Sequence, residues 1–126
     1  MITILVTGAN GQLGRQFQLL NNENKVYRFV YHSKQSLNIN DYNALIHYIE
    51  KDKVDVVVNC AAYTKVDDAE ENEDTAHMIN ALGAGNLATI CALLNKRLIH
   101  ISTDYVFSGE NEKPYTENDI KEPKTV

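Results

Sequence analysis

The sequence predicts an α/β fold built on a parallel, doubly wound sheet, and three observations carry that reading. Apolar β-rich runs recur at Ile4–Val6, Val54–Val58 and Arg97–Ser102, the first being of the kind that a strand buried on both faces needs. Between them lie stretches whose apolar residues fall three and four apart, the spacing of one helix face. The first run stops at Thr7, glycines follow at Gly8, Gly11 and Gly14, and a helical pattern opens at Gln12 with Leu13, Phe17 and Leu20 on one face. Strand, glycine turn and helix in this order are the opening unit of a Rossmann-like nucleotide-binding domain.

Each glycine has a job in such a unit. Without Cβ atoms the chain turns sharply at Gly8, lets a pyrophosphate approach the backbone at Gly11, and packs helix against strand at Gly14. The start of the helix adds free N–H groups and the positive end of its dipole. A tight βα turn without any ligand would use the same glycines; the flanking strand and helix favour the nucleotide site.

The elements follow in chain order. Lys25–Tyr31 reads as a second strand. An Asp or Glu at its end would accept hydrogen bonds from an adenosine 2′-hydroxyl, yet no acidic residue occurs between Glu23 and Asp41, while Arg28, His32, Ser33 and Lys34 do. A 2′-phosphate meets no acidic repulsion there, which tilts the cofactor toward NADP(H) and leaves NAD(H) open. Ser36–Ile39 reads as a short third strand closed by Asn40 as a helix N-cap. Tyr42, Leu45, Ile46 and Ile49 then line one face of a packing helix. Val54–Val58 is a central strand ending in small residues, and Ala61 and Ala62 would let a ligand lie against the backbone or simply pack under the next helix.

Asp67–Asp74 is strongly acidic and reads as the solvated start of a long helix, its carboxylates near the positive dipole end rather than on a metal. That helix continues through Ile79, Leu82, Gly83, Leu87, Ile90, Cys91 and Leu94, with Asn80 in a surface or helix-pairing role. After the strand at Arg97–Ser102, Thr103, Asp104 and Tyr105 fall at the same sheet edge as Gly11 and Ala62, as candidates for substrate contact. From Ser108 the chain reads as a polar loop with Pro114 and Pro123.

Bulk properties bound the function. At 126 residues the chain is one domain, residues 1–126, able to bury a core. A formal net charge of −5 argues against general affinity for nucleic acid or an anionic membrane. No apolar stretch in the sequence approaches the roughly 20 residues of a membrane span, and nothing resembles a signal peptide. Cys60 and Cys91 read as reduced packing residues of a cytoplasmic protein. The four histidines lack ligand spacing, so no metal site is expected. No G-x-S-x-G elbow occurs and Cys60 has no identifiable base, which leaves nucleophilic hydrolysis unsupported.

Four stretches, TGANGQLG at 7–14, NCAAYTKVDDAE at 59–70, INALGAGNLA at 79–88 and ISTDYVFSG at 101–109, together resemble the extended short-chain dehydrogenase/reductase family. The second and fourth point to its dehydrorhamnose-reductase branch over generic epimerases. The resemblance implies an oxidoreductase of polysaccharide biosynthesis that reduces the C4 ketone of dTDP-4-dehydro-L-rhamnose to dTDP-L-rhamnose with NAD(P)H. Carried over by position, Gly11, Gln12 and Leu13 match the pyrophosphate loop, and Asn38 and Ile39 match the adenine-contacting pair, where Asn38 stands in place of the usual Asp. Ala62, Tyr63 and Thr64 match the stretch along the ribose and nicotinamide. Thr103 matches the catalytic hydroxyl and Asp104 a sugar contact, with Val66 and Tyr105 as further substrate-side candidates.

The family's chemistry also needs a Tyr to protonate the alkoxide and a Lys four residues on to lower that Tyr's pKa. Here Tyr63, Tyr105 and Tyr115 are followed at that spacing by Asp67, Gly109 and Asp119. The resemblance places that pair just beyond Val126, which makes this chain an amino-terminal portion, truncated after about five strands and inactive alone. Its last strand would then expose an unpaired edge, inviting self-association, domain swapping or a homodimer. Two readings compete: a sugar-nucleotide epimerase or dehydratase, and a nucleotide-binding regulatory subunit resembling the methionine adenosyltransferase beta subunit.

Overall fold

The computed structural model describes residues 1–20 and 26–125. Four strands form one sheet: β1 (Ile2–Thr7), β2 (Tyr27–His32), β3 (Val56–Asn59) and β4 (Arg97–His100), in the order β2-β1-β3-β4 with every pairing parallel. Register brings His32, Thr7, Asn59 and His100 into one row across the sheet, so the carboxyl ends of all four strands finish together. That row is the edge on which an open α/β sheet binds its ligands.

β1 is apolar on both faces and is covered on both, whereas β4 stays largely exposed. On one face Ile4 and Val6 neighbour Phe29 and Tyr31 of β2, and the helix α1 (Gln12–Leu20) packs there. Phe17 of α1 meets Phe29 with ring centroids 6.3 Å apart, and its carbonyl accepts from the Tyr31 hydroxyl at 2.9 Å. On the other face Leu5 and Val57 join one core with Leu45 and Ile49 of α2 (Tyr42–Lys51) and Leu87, Ile90 and Cys91 of α5 (Ala84–Leu93). The face expected of α2 is the one buried, with Tyr42 and Ile46 at its margin.

Several expectations need correction. The third strand expected at Ser36–Ile39 is a loop, and the described sheet has four strands rather than about five. The loop spends its hydrogen bonds locally: Ser36 and Leu37 N–H donate to the Ser33 carbonyl at 3.1 and 2.9 Å, and Ser33 N–H to the Ser36 hydroxyl at 3.0 Å. Leu37 and Ile39 are buried all the same, as loop residues under the helices. The N-cap of α2 is Asp41, whose carboxylate accepts from Ala44 N–H at 2.9 Å, and Asn40 is not a cap. β2 begins at Tyr27; Lys25 and the side chain of Leu20 lie outside the described residues. β3 begins at Val56, and β4 ends at His100.

The long helix expected from Asp67 is interrupted. α3 (Val66–Glu71) ends where Asn72 leaves helical geometry at φ −128° and donates its side-chain amide to the Asp68 carbonyl at 2.9 Å. α4 (Glu73–His77) then runs through a π-helical segment, Met78–Gly83, into α5. Together Glu73–Leu93 make a continuous helix of 21 residues, long and apolar enough by composition to cross a membrane. This departs from the expectation that no stretch would reach that length. The same helix carries Leu87, Ile90 and Cys91 into the core against the sheet, and a core helix passes that test on composition too.

Candidate functional site

The site forms where β1 ends. Gly8 leaves the strand at φ +66°, and a Cβ there would stand 2.6 Å from Cys60 C and O and from Ala61 N. Only glycine adopts that turn against another backbone without strain. The turn is tied down by Ala9 N–H to the His32 carbonyl at 3.0 Å and Gly11 N–H to the Gly8 carbonyl at 2.9 Å. Gly14 packs onto the turn itself, since a Cβ there would meet the Gly8 carbonyl oxygen and stand 2.7 Å from Ala9 Cα. Gly11 is exposed, and its nearest neighbour is the Gly8 carbonyl. The turn therefore delivers a bare backbone at Gly11 to the mouth of a cavity, beside the N-terminus of α1.

That cavity holds about 280 Å³. Its floor is the turn at Gly8, Asn10 and Gly11. One wall is the loop after β2, with Ser33, Lys34, Gln35, Leu37, Asn38 and Ile39; the other is Cys60, Ala61 and Ala62 after β3, with Ile79 of the π segment above. Burial pushes the Cys60 thiol upward, so it sits in the wall as a protonated, apolar group. Burial also lowers the His32 imidazole, against an opposing pull from Asp52. Arg28 is remote from the cavity: it pairs with Thr3 near the amino end of the sheet and bonds Asp52 at 3.5 Å. Of the cations and hydroxyls expected there, Ser33 and Lys34 line the wall after β2, and no carboxylate lines the cavity among the described residues.

A polar ladder fixes the far wall. Thr7 Oγ1 donates to Asn59 Oδ1 at 2.6 Å, Ala61 N–H donates to the same oxygen at 3.1 Å, and Asn59 Nδ2 donates to His100 Nδ1 at 3.1 Å. An amide NH₂ has no acceptor to offer, so His100 carries no proton on Nδ1 in this contact. Thr7 and Asn59 are each about 1% exposed, and three strands are cross-linked at the edge that supports the cavity. Sequence reasoning missed this ladder; its signal was a polar residue closing each of three apolar strands.

Of the residues singled out from sequence, Gly8, Gly11, Asn38, Ile39, Ala61 and Ala62 meet in this cavity. Gln12 and Leu13 open α1 beside it and are exposed, Leu13 by 40%. Tyr63 and Thr64 lie one and two residues beyond the wall. Asn80 is not merely a surface or pairing residue: its amide holds both main-chain groups of Tyr63. Val66 opens α3, half-buried.

Thr103 follows β4 on the same carboxyl edge as Gly11, β4 lying two places along the sheet from β1, about 10 Å at normal strand spacing. Its hydroxyl caps a 3₁₀ turn at Asp104–Val106, accepting from Tyr105 N–H at 3.2 Å and donating toward Asp104 at 3.4 Å. Asp104 and Tyr105 line a second cavity of about 230 Å³ with Phe107, Ser108 and Lys124. Phe107 and Tyr115 stack there with centroids 4.3 Å apart. Among the described residues no group of His, Cys, Asp or Glu is arranged to hold a metal ion.

Comparison with known proteins shows what this arrangement is similar to. The RmlD substrate binding domain family matches residues 2–126. A spore coat polysaccharide biosynthesis protein, SpsK, of Bacillus subtilis is 40% identical, aligned over all of this chain and 44% of its own length. A dTDP-4-dehydrorhamnose reductase of Mycolicibacterium smegmatis is 40% identical over 98% of this chain and 37% of its own. The crystal structure of a dTDP-4-dehydrorhamnose reductase from Bacillus anthracis in complex with NADP superposes with a TM-score of 0.92 at 37% identity, covering 98% of this chain and 44% of that one. The chain thus spans about two fifths of the length of the relatives it matches.

Proposed function

Because the chain belongs to the RmlD substrate binding domain family, we propose that it is the NADP(H)-binding portion of a reductase that converts dTDP-4-dehydro-L-rhamnose to dTDP-L-rhamnose. The observation that carries this is the cavity: a glycine turn that exposes Gly11 without a side chain, walled on the ribose side by Ser33 and Lys34, with no carboxylate among the described residues that line it. The diphosphate lies over Gly11 at the start of α1, formed by Gln12 and Leu13, where free N–H groups and the helix dipole favour anions. The adenosine half lies toward Asn38 and Ile39, and the nicotinamide half toward Ala62, Tyr63 and Thr64. Thr103 orients the sugar carbonyl, and Asp104, Tyr105 and Val66 stand on the sugar side.

Bound nicotinamide supplies the hydride; the protein must hold the ketone, exclude water and provide a proton. None of the seven tyrosines here has a lysine four residues on. The 126 residues are therefore expected to bind cofactor without turning substrate over. Cytoplasmic residence and a homodimer belong to the same proposal, the second supported by β4 as an edge strand with Ile99 and Ile101 exposed. Titration of NADPH and NADH into the chain, followed by addition of the dehydro sugar nucleotide, tests the reading. Tighter binding of NADPH with no loss of reduced nicotinamide is expected. Preference for NADH, or steady oxidation by these residues alone, would overturn it.

A further inference from the structure

One helix holds both the cavity wall at Ile39 and the chain at Tyr63, one residue beyond the wall at Ala62, through contacts separate from the glycine turn. Asn80 sits in the π segment, where its Oδ1 accepts from Tyr63 N–H at 2.8 Å and its Nδ2 donates to the Tyr63 carbonyl at 3.0 Å. Three residues on, Gly83 is buried under the other wall: a Cβ there would stand 2.6 and 2.7 Å from the Ile39 side chain. Three further on, Asn86 donates from Nδ2 to the Ile39 carbonyl at 3.1 Å. Each successive pair adjoins on the helix surface, and the three together sweep roughly 120° around it in α geometry, so the one helix reaches toward both sides. Ile39 follows β2 and Tyr63 follows β3, on opposite sides of the glycine turn in the sheet order. The π segment carries the first contact and ends at Gly83, three residues before the second, and π insertions are frequent at functional sites.

We propose that Asn80 and Asn86 are positioning residues for the two halves of the dinucleotide, Asn86 setting the adenosine wall and Asn80 the wall toward the nicotinamide. The inference rests on the cofactor reading above. A dinucleotide spanning the glycine turn lays its adenosine over the β2 side and its second nucleoside over the β3 side, so each half meets a wall fixed by a different asparagine. Neither asparagine lines the cavity. Each acts by fixing main chain: the Ile39 carbonyl and both Tyr63 groups are held to one rigid helix. Ordered walls lower the cost of ordering loops on binding.

The test uses two probes, NADPH and 2′,5′-ADP, which carries the adenosine half alone, titrated calorimetrically into the full chain and its Asn80→Ala and Asn86→Ala variants, with Tm measured in parallel. Asn86→Ala is expected to weaken both probes by roughly five- to tenfold, the effect of its lost hydrogen bond to the Ile39 carbonyl. Asn80→Ala is expected to weaken NADPH to that extent and leave 2′,5′-ADP within about twofold. A general loss of stability would move both probes together, so this split separates positioning from a merely structural role. Should the alanine variants unfold, Asn80→Asp, which keeps the acceptor and gives up the donor, and Asn86→Ser are expected to show the same split at smaller size. Parallel changes in both probes for all variants, or none, would overturn the inference and leave the cofactor reading standing. Failure of the unsubstituted chain to bind either probe would overturn the cofactor reading, and this inference with it.

Discussion

Replacing Gly14 with Ala separates the packing role of this turn from its binding role, with Gly11→Ala as its counterpart. A Cβ at Gly14 collides with the Gly8 carbonyl oxygen and stands 2.7 and 3.0 Å from Ala9 Cα and C. All three are backbone atoms of a turn already fixed by Ala9 N–H to His32 and Gly11 N–H to Gly8, so the turn cannot yield. α1 must move off the sheet instead, loosening the contact of Phe17 with Phe29 and the Tyr31 hydroxyl bond. Overpacking of this kind costs about 1–3 kcal/mol, and Tm is expected to fall on the order of 10 °C for a chain of this size. At Gly11 the only neighbour among the described residues is the Gly8 carbonyl, 3.2 Å from the new Cβ, a contact that a small shift relieves. Gly11→Ala is therefore expected to melt within about 3 °C of the parent. Its methyl group stands where a diphosphate would touch the backbone, so NADPH affinity is expected to drop roughly tenfold or more. Thermal unfolding by circular dichroism and calorimetric titration of NADPH check both. An unchanged Tm for Gly14→Ala, or unchanged NADPH affinity for Gly11→Ala, would refute the division of labour between the two glycines.

Other outcomes follow from the walls and the ladder. Lys34→Glu turns an attraction to a 2′-phosphate into a repulsion, each on the order of 1 kcal/mol at an exposed site, so NADPH is expected to weaken roughly thirtyfold while NADH holds; equal losses in parallel titrations would remove Lys34 from the ribose wall. Asn59→Leu leaves the buried Thr7 hydroxyl and Ala61 N–H without their acceptor at a cost of roughly 2–4 kcal/mol, and adding Thr7→Val is expected to recover part of it in chemical denaturation. Cys60, its thiol pushed up by burial, is expected to alkylate slowly near neutral pH and more slowly with NADPH bound, as followed by mass spectrometry. His32 is held below its ordinary pKa by burial, so the folded chain binds fewer protons than the unfolded chain just below about pH 6.5. Stability is expected to fall as pH drops through that window, and His32→Gln to flatten the dependence of Tm on pH.

The sheet and its binding edge were legible in the sequence because their signals are local. Apolar runs marked β1, β3 and β4, the glycines marked the turn, and period-3.6 spacing marked α2 with its buried face. Legibility failed where side chains compete with the backbone for hydrogen bonds. Ser33 and Ser36 close a turn that takes the place of a strand at Ser36–Ile39, and Leu37 and Ile39, apolar as a strand residue would be, are buried from a loop. Asn38 accepts from Asn40 N–H at 3.0 Å, which moves the cap of α2 on to Asp41. Asn72 stops α3 by bonding back to Asp68, inside a run that composition alone reads as continuous. Asn59, Asn80 and Asn86 belong to the same class, because each acts on a residue distant in the chain or on another strand, and nothing in its neighbours announces the partner. Asparagine is poor evidence when read singly: its amide offers both donors and an acceptor, and its short arm ends turns, caps helices and clamps main chain with equal ease. The glycine turn specifies where a dinucleotide can lie, whereas these scattered amides specify how firmly the walls around it stand. That is why the turn and the candidate cavity were legible in the sequence while their support became visible only in three dimensions.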